Sequence, residues 1–486
     1  MIGITSFGAY IPRYRLERKL IQEQMAWYSA GFSKGEKAMA NYDEDTVTMA
    51  VSAAQNALSN VNRSRIHGVT LASMSLPFAN RQSAGIVADA LTLKRNIRTM
   101  DTTSSLRCGV DALVAGLEQV RDGEDYMVCA SDARRAQPGS AQEYMFGDAA
   151  AAFVVGADKV LAEYKGSFSL HSDFQDCRRL ADEEYEHSWE ERWIRDKGYT
   201  GILPEAVKGL CEKYGVKIDS FTQIILPVPN LGAWKAAGKA VGAQPEQLTD
   251  TLLVPVGDTG AANALLMLCL ALDQAKPGDN LLLTGYGYGA TAVWFQATDA
   301  LPEVRENLKG VAAQLSRRKA MPTYARYLAY KNLLPIELGI RGESVSPTAM
   351  TVLERLGSSI QALEGGRCPD CGTPQFPPRE FCAACGSHKR MEPYSFQDKK
   401  GCVASFTGDY LAFSMDPPQH YGMVDFEGGG RLYMEYTDCV TEELFVGCPV
   451  ELTFRVKHSD PKRGVIHYFW KAIPVGKEDS DHGEGN

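Results

Sequence analysis

This chain of 486 residues is short of basic charge and of histidine: 51 Lys and Arg face 60 Asp and Glu, and only 8 His are present. A net charge of −9 repels phosphate at long range, so neither nucleic acid nor an anionic membrane surface is expected as a partner. Long apolar runs are missing too. The most apolar stretch, around Ala264–Leu272, falls well short of the ~20 residues that cross a bilayer. The opening Met1–Ser6 has neither the basic region nor the apolar core of an export signal. Twelve cysteines are too few for a disulfide scaffold of this length. A cytoplasmic protein with reduced thiols is expected.

What is present divides into blocks. Residues 1–298 are rich in Ala, Gly and Val, and short apolar strands such as Tyr126–Ala130 and Leu281–Thr284 alternate with helical runs such as Val110–Arg121 and Ala261–Gln274. That alternation predicts an α/β domain with largely buried parallel strands. The block also repeats itself. A helix from Asp111, a Gly123 turn, the strand Tyr126–Ala130 and the run Gly147–Val155 recur in the same order as a helix from Asn263, a Gly278 turn, Leu281–Thr284 and Gly287–Phe295, the helix starts being offset by 152 residues. Two copies of one half would put the helix-opening loops near residues 106 and 258 on either side of one pocket; independent Ala-rich helices are the alternative. Residues 394–475 switch to period-two patterning with Gly turns, as in Gly401–Phe406 and Val450–Val456, which predicts a small five-stranded barrel. The expected boundaries are 1–160 and 161–300 for the halves, 301–361 for a helical tail and linker, 362–392 for a ribbon, 393–476 for the barrel and 477–486 for a disordered tail.

The motif of highest specificity is Cys368-x2-Cys371-x10-Cys382-x2-Cys385, in which each pair ends in Gly. Two such knuckles bring four thiolates to tetrahedral positions around one Zn2+. With every position a Cys no ligand site stays open, so the metal is expected to be structural. A ribbon followed by a barrel also suits a binding module for single-stranded nucleic acid; the acidic balance opposes that.

Ala130–Tyr144, Phe146–Ala152 and Gly285–Ala290 resemble the hydroxymethylglutaryl-CoA synthase branch of the thiolase superfamily, and Tyr324–Tyr330 resembles its helical tail. Phe376–Arg379, Gly401–Thr407, Gly428–Leu432 and Gly447–Val450 resemble the zinc-ribbon/OB-fold proteins that accompany acyl-CoA thiolases and synthases. The resemblance implies a thiolase-like αβαβα core of two duplicated halves, followed by a zinc ribbon and a small OB-type β-barrel in the same chain. It also implies coenzyme A as part of the substrate, and a homodimer.

The family's catalytic set does not carry over. Its nucleophilic Cys falls on Leu106, with Cys108 two positions off; its Glu falls on Met74, its His on Pro227 and its Asn on Asp258. No histidine at all lies between His187 and His388. Acyl-enzyme chemistry is therefore not expected, whereas an aldol or retro-aldol step needs only enolate stabilisation and proton transfer. The resemblance extends to steroid side-chain aldolases, in which a nucleophile-less thiolase-like subunit pairs with a zinc-ribbon/OB partner. Asp258, Tyr286 and Tyr288 are the candidates for catalysis, and Lys235 and Lys239 for the phosphates of coenzyme A. Asp258 also reads as a helix N-cap, the tyrosines as core, Cys108 as a buried thiol and the lysines as a solvated helix face. Acyl transfer through Cys108 and a non-catalytic acyl-CoA-binding scaffold stay open as alternatives.

Overall fold

The computed structural model describes residues 1–28, 31, 34–337 and 349–475. The expected disordered tail at 477–486 and part of the expected helical tail lie outside the described residues. The described chain separates into two compact units: Met1–Asn41, Asp45–Ala88 and Leu93–Leu334 form one, and Tyr42–Glu44, Asp89–Thr92 and the chain from Pro335 onward form the other. Among the described residues, no helix is long and apolar enough to cross a membrane.

Among the described residues the main sheet of the first unit has nine strands: β1 (Gly3–Tyr10), β2 (Ile66–Ala72), β3 (Arg98–Thr102), β4 (Asp125–Asp132), β5 (Ala149–Gly156), β6 (Ala162–His171), β7 (Gln223–Ile225), β8 (Asn280–Tyr286) and β9 (Gly289–Ala297). Their order in one sheet is β7-β8-β9-β6-β1-β5-β4-β2-β3. The internal duplication is visible in the pairing. β1 runs antiparallel to β5, β5 antiparallel to β4, and β4 parallel to β2. In the second half β6 runs antiparallel to β9, β9 antiparallel to β8, and β8 parallel to β7. The halves join where β1 meets β6 at Gly3–Glu163 and Ile4–Ala162.

Helices fill the remaining layers: α1 (Thr46–Ala57), α2 (Cys108–Gln119), α3 (Leu203–Tyr214), α4 (Leu231–Val241) and α5 (Asn263–Gln274). α2 and α5 pack on each other and touch strands of both halves, α1 covers β1 and β5, and α3 covers β6 and β9. The result is the expected five-layer αβαβα sandwich. α5 is apolar on nearly every face and buried from Asn263 through Cys269, as a helix in a central layer must be. β4 and β5 are buried along their whole length, which is why they read as continuous rather than alternating apolar runs. A side chain at Gly109 would come within 2.3 Å of the Ala261 carbonyl oxygen. Its absence lets the N-terminal ends of the two central helices meet.

The second unit contains a three-stranded ribbon sheet (Glu364–Arg367, Pro374–Gln375, Glu392–Ser395) and a closed barrel. The barrel strands are β10 (Gly401–Asp409), β11 (Gln419–Phe426), β12 (Arg431–Tyr436), β13 (Pro449–Asp460) and β14 (Val465–Pro474), in the order β10-β11-β12-β14-β13. That order, with β12 parallel to β14 and β13 closing onto β10, fits the Greek-key path of an OB-type barrel. Phe454 and Trp470 are fully buried in it, their ring centroids 5.4 Å apart. The short segment Tyr42–Glu44 also belongs to this unit. The Asp43 carboxylate is 2.9 Å from Lys471 Nζ and accepts a 2.9 Å hydrogen bond from Thr437, while Arg455 pairs with Glu44 and, at 2.6 Å, with Asp438.

Candidate functional site

The four ribbon cysteines converge. Their Sγ atoms lie within 4.8 Å of one another, with Cys368–Cys385 at 3.7 Å and Cys371–Cys382 at 3.5 Å. Thiolates ~2.3 Å from a tetrahedral Zn2+ stand roughly 3.8 Å apart, so the set fits one ion. The two knuckles have the same geometry. Gly372 and Gly386 both take φ of +73°, and their N–H groups donate to the Cys368 and Cys382 carbonyls at 2.9 Å. Only a residue without Cβ adopts that turn readily.

A second constellation lies in the first unit, where the halves meet. Leu106, at the entrance to α2, Pro227 and Pro229 beyond β7, Asp258, Gly260 and Asn263 at the start of α5, and Gly285 and Tyr286 at the end of β8 line one pocket, together with Tyr199 and Ala264. Its enclosed volume is about 20 Å³, space for a single water. Leu106, Asp258 and Tyr286, distant in sequence, are thus brought together. Tyr288 is not among the lining residues; its hydroxyl donates to the Cys177 carbonyl oxygen at 2.8 Å and its backbone φ is +49°. Lys235 and Lys239 lie along α4 and line a separate groove with Trp234, Gln244 and Leu248. Met74 does not line the pocket; its N–H donates to Asp132.

The charges around the pocket are organised by one buried cation. Arg134 Nη2 is 2.7 Å from Asp258 Oδ2, and Nη1 is 3.3 Å from Glu186. The guanidinium also sits 3.8 Å above the Phe146 ring. Burial alone would lower the Arg134 pKa, but Asp258, Glu186 and Asp132 outweigh it and hold the proton on. Asp258 Oδ1 accepts the Gly260 N–H at 3.0 Å, the local bond expected of a residue opening a helical turn. On the other side of the pocket the buried Asp176 carboxyl lies near the Tyr286 phenol. Tyr199 packs edge-on against Tyr286 with ring centroids 4.9 Å apart. Burial, then Asp176, raises the Tyr286 pKa above the usual phenol range, and burial, Asp176 and Asp258 raise Tyr199 likewise. The Asn263 side-chain oxygen is buried without a hydrogen-bond partner, a group that a bound ligand would satisfy.

Cys108 is buried on α2 and does not line the pocket. Burial, then Asp132 and Asp111, pushes its thiol well above the ordinary range, the reverse of what a nucleophilic thiolate needs.

The sequence reading missed Asp176, Tyr199, Arg134 and Glu186. Arg134 lies inside the Ala130–Tyr144 stretch that carries the resemblance. Tyr199 sits on an irregular π-helical stretch, Ile194–Ile202, which has no hydrophobic period to read. Asp176 lies in the excursion between β6 and that stretch, and nothing in its neighbours marks it.

Comparison with known proteins places these features. Residues 360–392 match the family described as ChsH2, rubredoxin-like zinc ribbon domain, and residues 211–295 match 3-Oxoacyl-[acyl-carrier-protein (ACP)] synthase III C terminal. Over 348 residues the chain is 30% identical to the hydroxymethylglutaryl-CoA synthase of Pyrobaculum aerophilum, spanning 69% of this chain and 99% of that protein. It is 31% identical over 346 residues to that of Methanococcoides burtonii, spanning 68% and 98%. The chain belongs to the hydroxymethylglutaryl-CoA synthase family. The fold agrees: an HMG-CoA synthase solved in complex with CoA superposes with a TM-score of 0.61 at 18% identity, covering 72% of this chain and 94% of that one. MvaS in complex with 3-hydroxy-3-methylglutaryl coenzyme A gives 0.59 at 21% identity, covering 71% and 94%. The Pyrobaculum aerophilum and Methanococcoides burtonii relatives are aligned over 98–99% of their own length but account for only 68–69% of this chain, which also carries the ribbon and the barrel.

Proposed function

We propose that the protein catalyses reversible aldol-type cleavage of a 3-hydroxyacyl-CoA into a shorter acyl-CoA and an aldehyde or ketone, without an acyl-enzyme. The observation that carries this reading is Leu106. At the position where the resemblance puts the family's nucleophile, the pocket presents an apolar side chain, and no histidine or cysteine lines that pocket among the described residues. What does line it suits proton transfer: the Tyr286 phenol, and the Asp258 carboxylate held against Arg134. A phenol can pass a proton to or from the C3 oxygen while donors around the pocket stabilise the enolate. Membership in a family whose relatives are named as synthases of a CoA ester supports an acyl-CoA substrate, and the groove bearing Lys235 and Lys239 is proposed for its phosphates. The homodimer implied by the resemblance is proposed alongside and is checked by light scattering.

Acyl transfer through Cys108 is the second reading, favoured by the family membership itself. It requires a thiolate at a buried position with a raised pKa. Two measurements separate the readings. Intact mass after incubation with acetyl-CoA gives no adduct on the aldol reading and a Cys108 adduct on the transfer reading. A panel of 3-hydroxyacyl-CoA esters is cleaved on the aldol reading only; an inert panel with a stable adduct overturns it, and neither adduct nor cleavage leaves a scaffold.

A further inference from the structure

The turn that opens α5 has its backbone donors served without Asn263. Asp132 Oδ2 accepts the Ala261 N–H at 2.7 Å, Asp258 Oδ1 the Gly260 N–H at 3.0 Å, and the Thr259 carbonyl the Ala262 N–H at 3.1 Å. An Asn at the start of a helix ordinarily works as a cap, yet α5 has no side-chain cap bond. Asn263 is 3% exposed, and its side-chain oxygen has no hydrogen-bond partner. An unpaired buried amide oxygen costs stability. Among the described residues with such an orphaned buried atom, Asn263 alone lines the pocket between the halves.

That oxygen calls for a donor, and the pocket does not supply one. Leu106, Pro227, Pro229 and Ala264 beside it have no polar side-chain atoms. Asp258, paired with Arg134, is an acceptor only. The hydroxyls of Tyr199 and Tyr286 are not bonded to the Asn263 oxygen. A thioester carbonyl, a phosphate and a product aldehyde or ketone are all acceptors and leave it unpaired. A 3-hydroxyacyl-CoA brings two kinds of donor: its C3 hydroxyl, and the N–H and O–H groups of the pantetheine arm. Leu106 decides between them. It lines the same pocket and occupies the place where the family's nucleophile meets the acyl group, so the acyl end of the substrate is what comes to Asn263.

We infer that Asn263 is a specificity-determining residue whose side-chain oxygen accepts a hydrogen bond from the C3 hydroxyl, selecting 3-hydroxyacyl-CoA esters over esters without that hydroxyl. The inference rests on the aldol reading for the class of substrate. A site built to pair a substrate hydroxyl rejects the analogue that lacks it, because the buried group is then left unpaired. The bond is lost once the C3 oxygen becomes a carbonyl, so Asn263 holds the ester and releases the aldehyde or ketone.

The test is binding to the full chain, by calorimetric titration with S-(3-hydroxybutyl)-CoA, each enantiomer separately, and with S-butyl-CoA. These thioethers lack the C1 carbonyl, form no enolate and are not cleaved, so binding is read without turnover. Wild type is expected to bind one enantiomer of the hydroxylated probe roughly 5–100-fold more tightly than S-butyl-CoA. Asn263→Ala should bring the two probes within about twofold of each other while keeping its affinity for S-butyl-CoA, and Asn263→Ser should restore part of the preference. Asn263→Ala removes an unpaired atom rather than a bond, so its thermal midpoint should match or exceed that of wild type. A preference that survives Asn263→Ala, or none in wild type, overturns the inference and leaves the aldol reading to the cleavage assay. Equal weakening of both probes also overturns it, with the pantetheine arm as the donor if the midpoint holds and a structural Asn if it falls. If the preference is lost as expected but no 3-hydroxyacyl-CoA is cleaved, hydroxyl recognition by Asn263 stands and the aldol chemistry falls.

Discussion

At the residue scale, Leu106 and Tyr286 decide the chemistry proposed for this pocket, and the thiol next to them is the control. Tyr286→Phe removes the hydroxyl that faces Asp176 and should lower turnover ~10²–10⁴-fold, the usual effect of losing a proton-transfer group. Cys108→Ala should leave turnover within a few-fold of wild type; steady-state kinetics on one 3-hydroxyacyl-CoA compares both. Asp258 calls for a different readout. Its carboxylate neutralises a guanidinium that is 2% exposed, and removing one partner of a buried pair typically costs about 3–5 kcal/mol. Asp258→Asn should therefore lower the thermal midpoint markedly, even though Glu186 remains beside Arg134. An unchanged midpoint in differential scanning calorimetry would show that the pair does not hold this loop in place. Asp258, Tyr286 and Tyr288 were legible as candidates, and Leu106 as the missing nucleophile, because the family pattern lies on the helix-opening loops and the Gly-Tyr-Gly-Tyr-Gly turn; of the candidates, Tyr288 does not line the pocket. Asp176 and Tyr199 were not legible, because their meaning comes from facing Tyr286 across the pocket.

At the scale of elements, the duplicated βα units were readable because helix, Gly turn and paired strands recur in the same order, and the sheet repeats that order as identical pairings. The stretch Ile194–Ile202 was not readable, since a π-helical segment shows neither a 3.6-residue nor a two-residue period. Its function in the pocket makes a sharp prediction. Gly198→Ala places a methyl within 2.1 Å of the Tyr286 oxygen, so either the phenol or the helix must shift. The expected result is a fall in kcat with little change in the far-ultraviolet circular dichroism. The ribbon makes another. Structural zinc supplies roughly 10–16 kcal/mol of apparent binding free energy in small domains, so Cys371→Ala should unfold the ribbon while residues 1–298 keep their structure. Elemental analysis should find one zinc per wild-type chain and none in the variant, and limited proteolysis should cut the variant near residues 362–392.

At the scale of the whole molecule, the assignment of Tyr42–Glu44 and Asp89–Thr92 to the unit that otherwise begins at Pro335 is a tertiary fact. Burial would raise the Asp43 carboxyl, but Lys471 and Arg455 outweigh it and hold it below the ordinary carboxylate range. A depressed carboxyl stabilises the fold at pH above its unfolded value, and that stability is lost as pH falls through the folded value. Acid unfolding of the wild type should therefore be steep below the usual carboxylate range. Asp43→Asn should be less stable at neutral pH by about 3–5 kcal/mol and show a shallower acid transition, measured by denaturant melts across pH. The sequence by itself determined what depends on local order and spacing: the α/β alternation, the duplication, the four-thiol knuckles, the period-two barrel and the missing nucleophile. Only the tertiary structure decided which carboxyl has a cation and which has not. Asp258 and Arg134 are 124 residues apart and Asp43 and Lys471 are 428 apart. No spacing rule links charges at such separations; burial in a shared low-dielectric interior makes them partners.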